Sequence, residues 1–196
     1  MTSILSDADM DLIFRDARTH NAWQDKPVPE VTLRAVYHLM RYGPTSANGS
    51  PARLKFLVSD AAKQRLKSSL SEGNLAKTMA APVVAIVAYD LKFYEKMPQL
   101  FPHEPDAKNW FSDPDVAQIT AFRNSTLQGA YLIIAARSLG LDCGPMSGFD
   151  NEALDAEFFP DGRIKSNFLC NIGFGDPSGL FERSPRLDFD EACEIL

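Results

Sequence analysis

The chain has 196 residues, of which 45% are hydrophobic and 23% charged, and its formal net charge is -6. This length suits one domain with a substantial core, and the composition is that of a globular chain rather than a disordered one. The acidic balance argues against non-specific nucleic-acid binding, which depends on Lys and Arg neutralising phosphates, and disfavours anionic membrane surfaces.

In chain order, Ser6 or Asp7 can cap a first helix running to about Thr19, with Met10, Ile13, Phe14 and Ala17 spaced as one apolar stripe. Pro29 and Glu30 open a second helix whose stripe, Leu33, Val36, Tyr37 and Met40, stops before Gly43-Pro44. The next loop, Gly43-Pro44-Thr45-Ser46-Ala47-Asn48-Gly49-Ser50-Pro51, is stiffened by a proline near each end, and its glycines allow close backbone approach. Thr45, Ser46, Asn48 and Ser50 offer short donors and acceptors. The loop therefore reads either as a cradle for a small polar ligand or as an ordinary helix-to-strand connector. Leu54 to Val58 reads as a strand, Asp60 to about Leu70 as a helix, and Glu72 to Ala80 as another. Pro82 then introduces a strand from Val83 to Ala88 that is apolar on both faces, which belongs in the centre of a sheet covered by helices on both sides.

From Leu91 to Pro114 the periodicity fails, and Pro98, Pro102, Pro105 and Pro114 interleave with Phe93, Tyr94, Phe101, Trp110 and Phe111. Long aromatic loops of this kind are often lids or binding segments. The longest helix runs from about Asp115 to Leu139. Its stretch Ala130 to Ala136 is apolar all round and is expected to be buried on every side. Ala121, Ser125 and Gly129 form a small-residue ridge that would let another helix come unusually close, either within the subunit core or at a dimer interface. Gly140 ends the helix, and Cys143-Gly144-Pro145-Met146-Ser147-Gly148 reads as a loop leading to a helix near Asp150 to Phe159. Phe168 to Phe174 is the last strand pattern. The tail beyond it is too thin in apolar residues to fold alone and is expected to wrap another surface.

Several chemistries fall away. Cys143, Cys170 and Cys193 are odd in number and too dispersed for a disulfide framework or a zinc site. There is no G-x-S-x-G elbow, the histidines His20, His38 and His103 lie in unrelated contexts, and no residue set has metal-ligand spacing. Gly173-Phe174-Gly175 follows a strand, but Ser178 stands where a dinucleotide fingerprint needs its third glycine and Pro177 interrupts the turn. Acidic residues break every apolar run near the N-terminus, and no stretch approaches the ~20 apolar residues that span a bilayer, so a cytoplasmic location is expected.

What remains is a scattered set of cations and amides. Arg18-Thr19-His20-Asn21 closes the first helix, Asn74 and Lys77 stand on a short helix, and Arg183 and Arg186 lie in the tail. A ligand with a phosphate, a polyol and a heteroaromatic ring would give all of them a use. In order, Arg18 to Trp23, Pro44 to Asn48, Asn74 with Lys77, and Gly140 to Asp150 resemble the flavin-binding segments of the nitroreductase family, across nearly the whole chain. Asp16 to Asn21, Gly43 to Asn48, Phe122 to Ser125 and Gly144 to Asp150 look closest to the branch containing the malonic semialdehyde reductase of the Rut pyrimidine-degradation pathway.

The resemblance implies an α+β fold: a central, mostly antiparallel sheet flanked by helices, one domain over residues 1–196, in an intertwined homodimer with FMN at the subunit interface. Segment 91–115 would cover the substrate, Trp110 or Phe111 covering the flavin, and tail 177–196 would pack on the partner subunit. Carried over, Arg18, Thr19 and Asn21 would hold the FMN phosphate and ribityl chain, with Arg183 and Arg186 completing the grip. Pro44, Thr45, Ser46 and Asn48 would approach from the other subunit. Asn74 and Lys77 would bond the pyrimidine edge of the ring, and Pro145, Met146, Ser147 and Gly148 would line it near N5. The implied activity is ping-pong hydride transfer from NAD(P)H through the flavin to a small-molecule acceptor, with no catalytic side chain beyond the tuning Lys77. The acceptor would be malonic semialdehyde, reduced to 3-hydroxypropanoate, or alternatively a nitro compound or quinone. A flavin-free, ligand-binding dimer is the non-redox rival. Two departures stand out: many family members carry Arg or Lys at the positions of Ala17 and Asn21, and well-known nitroreductases carry an acidic residue where Ser147 stands here.

Overall fold

The computed structural model describes residues 4–196. Ser6 caps α1 (Asp7–Met10) through a reciprocal box: its hydroxyl accepts from the Asp9 N–H, and the Asp9 carboxylate accepts from the Ser6 N–H. The helix continues as one wider π turn over Asp11–Arg15 and stops there, short of the expected end at Thr19. The reason is tertiary. Thr19 bridges to Cys143 and the His20 N–H donates to the Cys143 carbonyl at 3.0 Å, so this stretch is extended along a sheet edge. Of the expected stripe, Ile13 is buried and Phe14 exposed.

The elements that follow are α2 (Glu30–Met40), β1 (Ala52–Leu57), α3 (Asp60–Leu66), α4 (Glu72–Ala80) and β2 (Val83–Asp90). Next come α5 (Met97–Leu100), α6 (Pro114–Ser138), β3 (Asp142–Met146), α7 (Asn151–Phe158), β4 (Ile164–Gly173) and α8 (Phe189–Ala192). The strands form one antiparallel sheet in the order β1-β2-β4-β3. Every residue of β2 is buried, as its two-faced apolar run demands. Val83, Ala85 and Val87 pack with Leu33, Val36 and Met40 of α2 and with Leu132 and Ala136 of α6. Val84, Ile86 and Ala88 pack on the opposite face with Leu66 of α3 and with Leu154 and Phe158 of α7. Each Val or Ile so buried contributes about 1.5–3 kcal/mol, so this strand is the thermodynamic centre of the molecule.

Three expectations are corrected. The Cys143–Gly148 stretch is not simply a loop, because Asp142–Met146 is a strand paired with β4. It tolerates Pro145 because β3 is an edge strand, where a missing N–H costs no ladder bond. It needs Gly144 because a Cβ there would stand 2.5 Å from the His20 carbonyl oxygen. The ridge on α6 meets the sheet rather than another helix: a Cβ on Gly129 would lie 2.4 Å from the Phe168 ring. Ala130 is exposed and Tyr131, Ile133 and Ile134 are half-buried, so the Ala130–Ala136 stretch is not buried on every side, although Leu132, Ala135 and Ala136 are fully inward.

The region from Leu91 to Pro114 is ordered by its aromatics. Phe93 and Phe111 meet edge-on at 4.9 Å and bury with Tyr89, Met97, Ala107, Ala117 and Ala121 in a satellite core. Phe111 is therefore a core residue and not a cover, whereas Trp110 is exposed. The root of this region is pinned electrostatically. Asp90, only 3% exposed, accepts from Arg53 Nη2 at 2.7 Å, from Arg163 Nε at 2.7 Å and from the Lys92 N–H at 2.9 Å. Burial opposes ionisation of this carboxyl, but the Arg163 and Lys92 hydrogen bonds and the charge of Arg53 outweigh it, holding Asp90 below the usual carboxylate range.

Candidate functional site

Extension of the chain after α1 has a functional consequence. It places Arg18, Thr19 and Asn21 along the outer edge of β3, where they line a cavity of about 520 Å3. The tail closes the other side. Arg18 Nη2 donates to the Phe181 carbonyl, and Arg183 Nη2 donates to the Ala17 carbonyl at 3.2 Å. Arg183, Ser184 and Arg186 thereby line the same cavity, together with Phe14, Ala17, Phe181 and Glu182. The first part of the tail thus returns to its own chain: Asp176 N–H donates to the Ala22 carbonyl at 3.0 Å, and a Cβ on Gly179 would lie 2.4 Å from the Ala22 side chain. Asp176 starts this return. The backbone N–H and side chain of Ser178 hold its carboxyl below the usual range.

Five residues singled out from the sequence, Arg18, Thr19, Asn21, Arg183 and Arg186, are therefore gathered at one cavity. A fourth cation was missed there: Arg137, in the last turn of α6, also lines it. Its helical neighbours are apolar, and nothing in the sequence distinguishes it from a solvated helix-end arginine. Among the described residues, none of Arg18, Arg137, Arg183 and Arg186 forms a salt bridge with a carboxylate. Four unneutralised guanidiniums around one hollow suit a compact dianion, which each can bond through paired N–H groups.

A second group forms at the other end of β3. Asn74 Nδ2 donates to the Gly148 carbonyl at 2.9 Å, the Ser71 N–H donates to the same oxygen at 3.1 Å, and Thr78 Oγ1 lies 3.5 Å from Met146 Sδ. Gly148 is required here, since a Cβ would lie 2.3 Å from Asn74 Nδ2. The Lys77 carbonyl accepts from Trp23 Nε1 at 3.2 Å and from Asn171 Nδ2 at 3.5 Å, which fixes its backbone while its ammonium forms no salt bridge among the described residues. Pro145, Met146, Ser147 and Gly148 thus sit beside Asn74 and Lys77. From Cys143, where Thr19 attaches, to Met146 the strand advances about 10 Å, so β3 is the spine joining the two groups.

The loop from Gly43 to Pro51 is not brought to this cavity within the chain. It is held elsewhere: the Ser46 N–H donates to Asn124 Oδ1 at 2.8 Å, and Asn48 Nδ2 donates to the Leu100 carbonyl at 2.8 Å. Ala47, Asn48 and Ser50 adopt φ of 46°, 51° and 41°, a left-handed backbone that costs non-glycine residues energy and persists only where surroundings impose it. The glycines serve close approach instead: a Cβ on Gly43 would lie 1.9 Å from the Tyr131 ring. Pro44, Ser46 and Asn48 face outward and Thr45 is half-buried. Asn124, buried in α6, is the support sequence reasoning did not assign, because in the run Arg123-Asn124-Ser125-Thr126 nothing local sets it apart.

His20 braces the site without facing the cavity. It is buried, with Nε2 3.4 Å from Asp142 Oδ1, while Asp142 Oδ2 accepts from the Gly175 N–H at 2.8 Å. A larger groove of about 640 Å3 lies between α2 and β1, lined by Val28, Leu33, Tyr37, His38, Phe56 and Val58. Its charged residues, Arg34 and Glu30, are closed on each other at 2.6 Å, and none of the anticipated residues lies there. Among the described residues no cluster of His, Cys, Asp and Glu is arranged to hold a metal ion, and no helix is long and apolar enough to cross a membrane.

Comparison with known proteins places this geometry. The chain is 61% identical over 97% of its length to a Burkholderia lata protein, of which it covers 98%, provisionally named NADH dehydrogenase/NAD(P)H nitroreductase. It is 57% identical to a Cupriavidus pinatubonensis protein of the same provisional name, over 95% of this chain and 96% of the other. Its fold matches a nitroreductase structure from Bacillus subtilis with a TM-score of 0.88 at 18% identity, covering 97% of this chain and 100% of that one. It also matches an Exiguobacterium sibiricum nitroreductase solved in complex with FMN, with a TM-score of 0.87 at 16% identity and full coverage of both chains. The nitroreductase family model matches residues 15–174, from the end of the first helix to the end of the last strand, and the chain belongs to the nitroreductase family.

Proposed function

We propose that this protein is an FMN-dependent NAD(P)H oxidoreductase whose cofactor lies along β3. The observation that carries the reading is the arginine cavity at one end of that strand and the Asn74–Gly148 cradle at the other. The fit is chemical as well as spatial. Arg18, Arg183 and Arg186, with the Thr19 hydroxyl and the Asn21 amide, suit a phosphate and the start of a polyol. The Asn74 amide, closed on the turn at Gly148, would offer a flat heteroaromatic ring a fixed polar edge. Bound FMN supplies a two-electron carrier between NAD(P)H and the acceptor.

The chain's residues bind and orient rather than attack. Asn74 is held by Gly148 so that its amide stays fixed beside the ring. Lys77, its backbone pinned by Trp23 and Asn171, carries an ammonium not neutralised by a carboxylate among the described residues, and at the pyrimidine edge of the ring it would stabilise negative charge. Pro145, Met146 and Ser147 shape the face on which nicotinamide and acceptor alternate.

The reading includes a homodimer in which Pro44, Thr45, Ser46 and Asn48 reach the partner's cofactor. Two observations support it: the loop turns away from its own cavity, and α6 leaves Val116, Ile119, Phe122 and Leu127 exposed along one helix. Residues 1–196 form one domain in this reading, with segment 91–115 covering the acceptor and the end of tail 177–196, where Leu187, Phe189, Ile195 and Leu196 are exposed, packing on the partner. Free cysteines throughout agree with a cytoplasmic setting.

For the acceptor, the general reading is a nitro compound or quinone, to which flavin hydride is well suited. Malonic semialdehyde is the narrower reading, resting on the likeness of Asp16 to Asn21, Gly43 to Asn48, Phe122 to Ser125 and Gly144 to Asp150. Purified protein is expected to be yellow, to release FMN on denaturation, and to oxidise NAD(P)H faster with a quinone than without. A colourless protein that stays inactive after FMN is added overturns the enzyme reading. Semialdehyde turnover no higher than background removes only the narrower one. Lys77→Ala is expected to slow flavin reduction by NAD(P)H in stopped flow about 10-fold or more while changing FMN affinity less.

A further inference from the structure

We infer that Arg137 is a phosphate-binding residue of the cofactor site, supplied from inside the fold by the last turn of α6. The inference rests on the FMN reading and extends it to a side chain that the likeness to flavin-binding segments does not touch. Three observations carry it.

The first is position. Arg137 lines the same cavity as Arg18, Arg183 and Arg186. The second is its unspent bonding capacity. Nη1 donates to the Ile13 carbonyl at 3.1 Å, which anchors the guanidinium, while Nε is buried without a partner. A guanidinium carries five N–H donors, and beyond the Nη1 bond to Ile13 none of them has a partner among the described residues, so the side chain that lines the hollow keeps donors to offer an anion bound there. The third is rigidity. Arg183 and Arg186 sit on an exposed tail, and Arg186 spends donors on its own Ser184 and Pro185 carbonyls at 2.9 and 3.0 Å. Arg137 projects from a helix of 25 residues packed on the sheet, so its charge is pre-positioned and loses less freedom when an anion arrives.

Among the described residues, Glu182 is the only carboxylate lining the cavity. Arg137 therefore adds to a local positive surplus rather than neutralising an acid. Its place in the last turn of α6 also agrees with the preference of cations for helix C-termini, which accounts for its presence but not for its unused donors.

The test compares FMN with riboflavin, which lacks only the phosphate, by fluorescence titration of the apoprotein. For Arg137→Gln the expected result is an FMN Kd raised on the order of 10- to 100-fold with the riboflavin Kd unchanged within about twofold. Arg137→Lys, which restores the charge, is expected to recover part of the FMN preference and serves if the glutamine variant does not fold. Equal weakening of both flavins, or no change in either, overturns the inference and leaves the FMN reading in place, because wild type would still prefer FMN. Wild type that binds FMN no better than riboflavin overturns the FMN reading itself and, with it, this role for Arg137.

Discussion

Arginine is used in two opposite ways in this molecule. Around Asp90, Arg53 and Arg163 converge on one buried carboxylate, and Arg163 also reaches Glu95 at 2.9 Å, so the charges are spent internally. Around the cavity beside β3, Arg18, Arg137, Arg183 and Arg186 anchor themselves on backbone carbonyls, which carry no net charge, and keep their positive charge available. The same side chain is a structural tie in one place and a receptor for an external anion in the other. Which role it takes is decided by whether the fold supplies a carboxylate nearby.

The contrast breaks most visibly at Asp90. Asp90→Asn leaves Arg53 without a carboxylate and Arg163 with Glu95 alone, and is expected to cost about 2–4 kcal/mol in urea unfolding, with FMN affinity of the folded protein unchanged. A loss below about 1 kcal/mol would mean the cluster is solvated and the contrast false. Because the folded-state pKa of Asp90 is depressed, its contribution is present above the unfolded carboxyl value near about 4 and is lost as pH falls through the lower folded value. Acid unfolding of wild type should therefore steepen in that window, and the Asn variant should lack that component.

Arg18→Ala comes next. Losing a charged hydrogen bond to phosphate is expected to cost about 1.5–3 kcal/mol of FMN binding, roughly a 10- to 100-fold rise in Kd, with little change in unfolding free energy. If stability falls as much as affinity, Arg18 is a tie of the Asp90 kind. The smallest effect belongs to an exposed helical pair. Arg34→Ala removes the Arg34–Glu30 bridge and is expected to shift stability by no more than about 0.5 kcal/mol and FMN affinity not at all.

Most secondary structure was legible from local patterns. The ends of α2 and α4, the Asp150 cap of α7 and the two-faced burial of β2 follow from caps, prolines and apolar spacing that act within a few residues. Where legibility failed, a partner distant in sequence had intervened. The first helix ends early because Thr19 is recruited to β3, and β3 itself was hidden because Gly144 and Pro145 read as loop formers, although an edge strand beside the His20 carbonyl tolerates one and requires the other. Phe111 and Trp110 differ by one residue and look equivalent in sequence, yet only Phe111 meets Phe93.

The site divides in the same way. Arg18, Asn74, Lys77 and the Gly144–Gly148 stretch were recognisable because short polar segments in a fixed order carry a family likeness. Arg137 carries none, and Asn124 lies in a likeness that gave it no role. Each is a single polar residue in a 25-residue helix, and its role depends on what the tertiary fold sets beside it, the arginine cavity for one and the Ser46 loop for the other. The sequence by itself determined the family, the core strand and the chemical types available to a ligand, since these follow from local composition and order. Only the tertiary structure decided which cations stay unpaired, because a charge is neutralised through space, by residues that can lie anywhere along the chain.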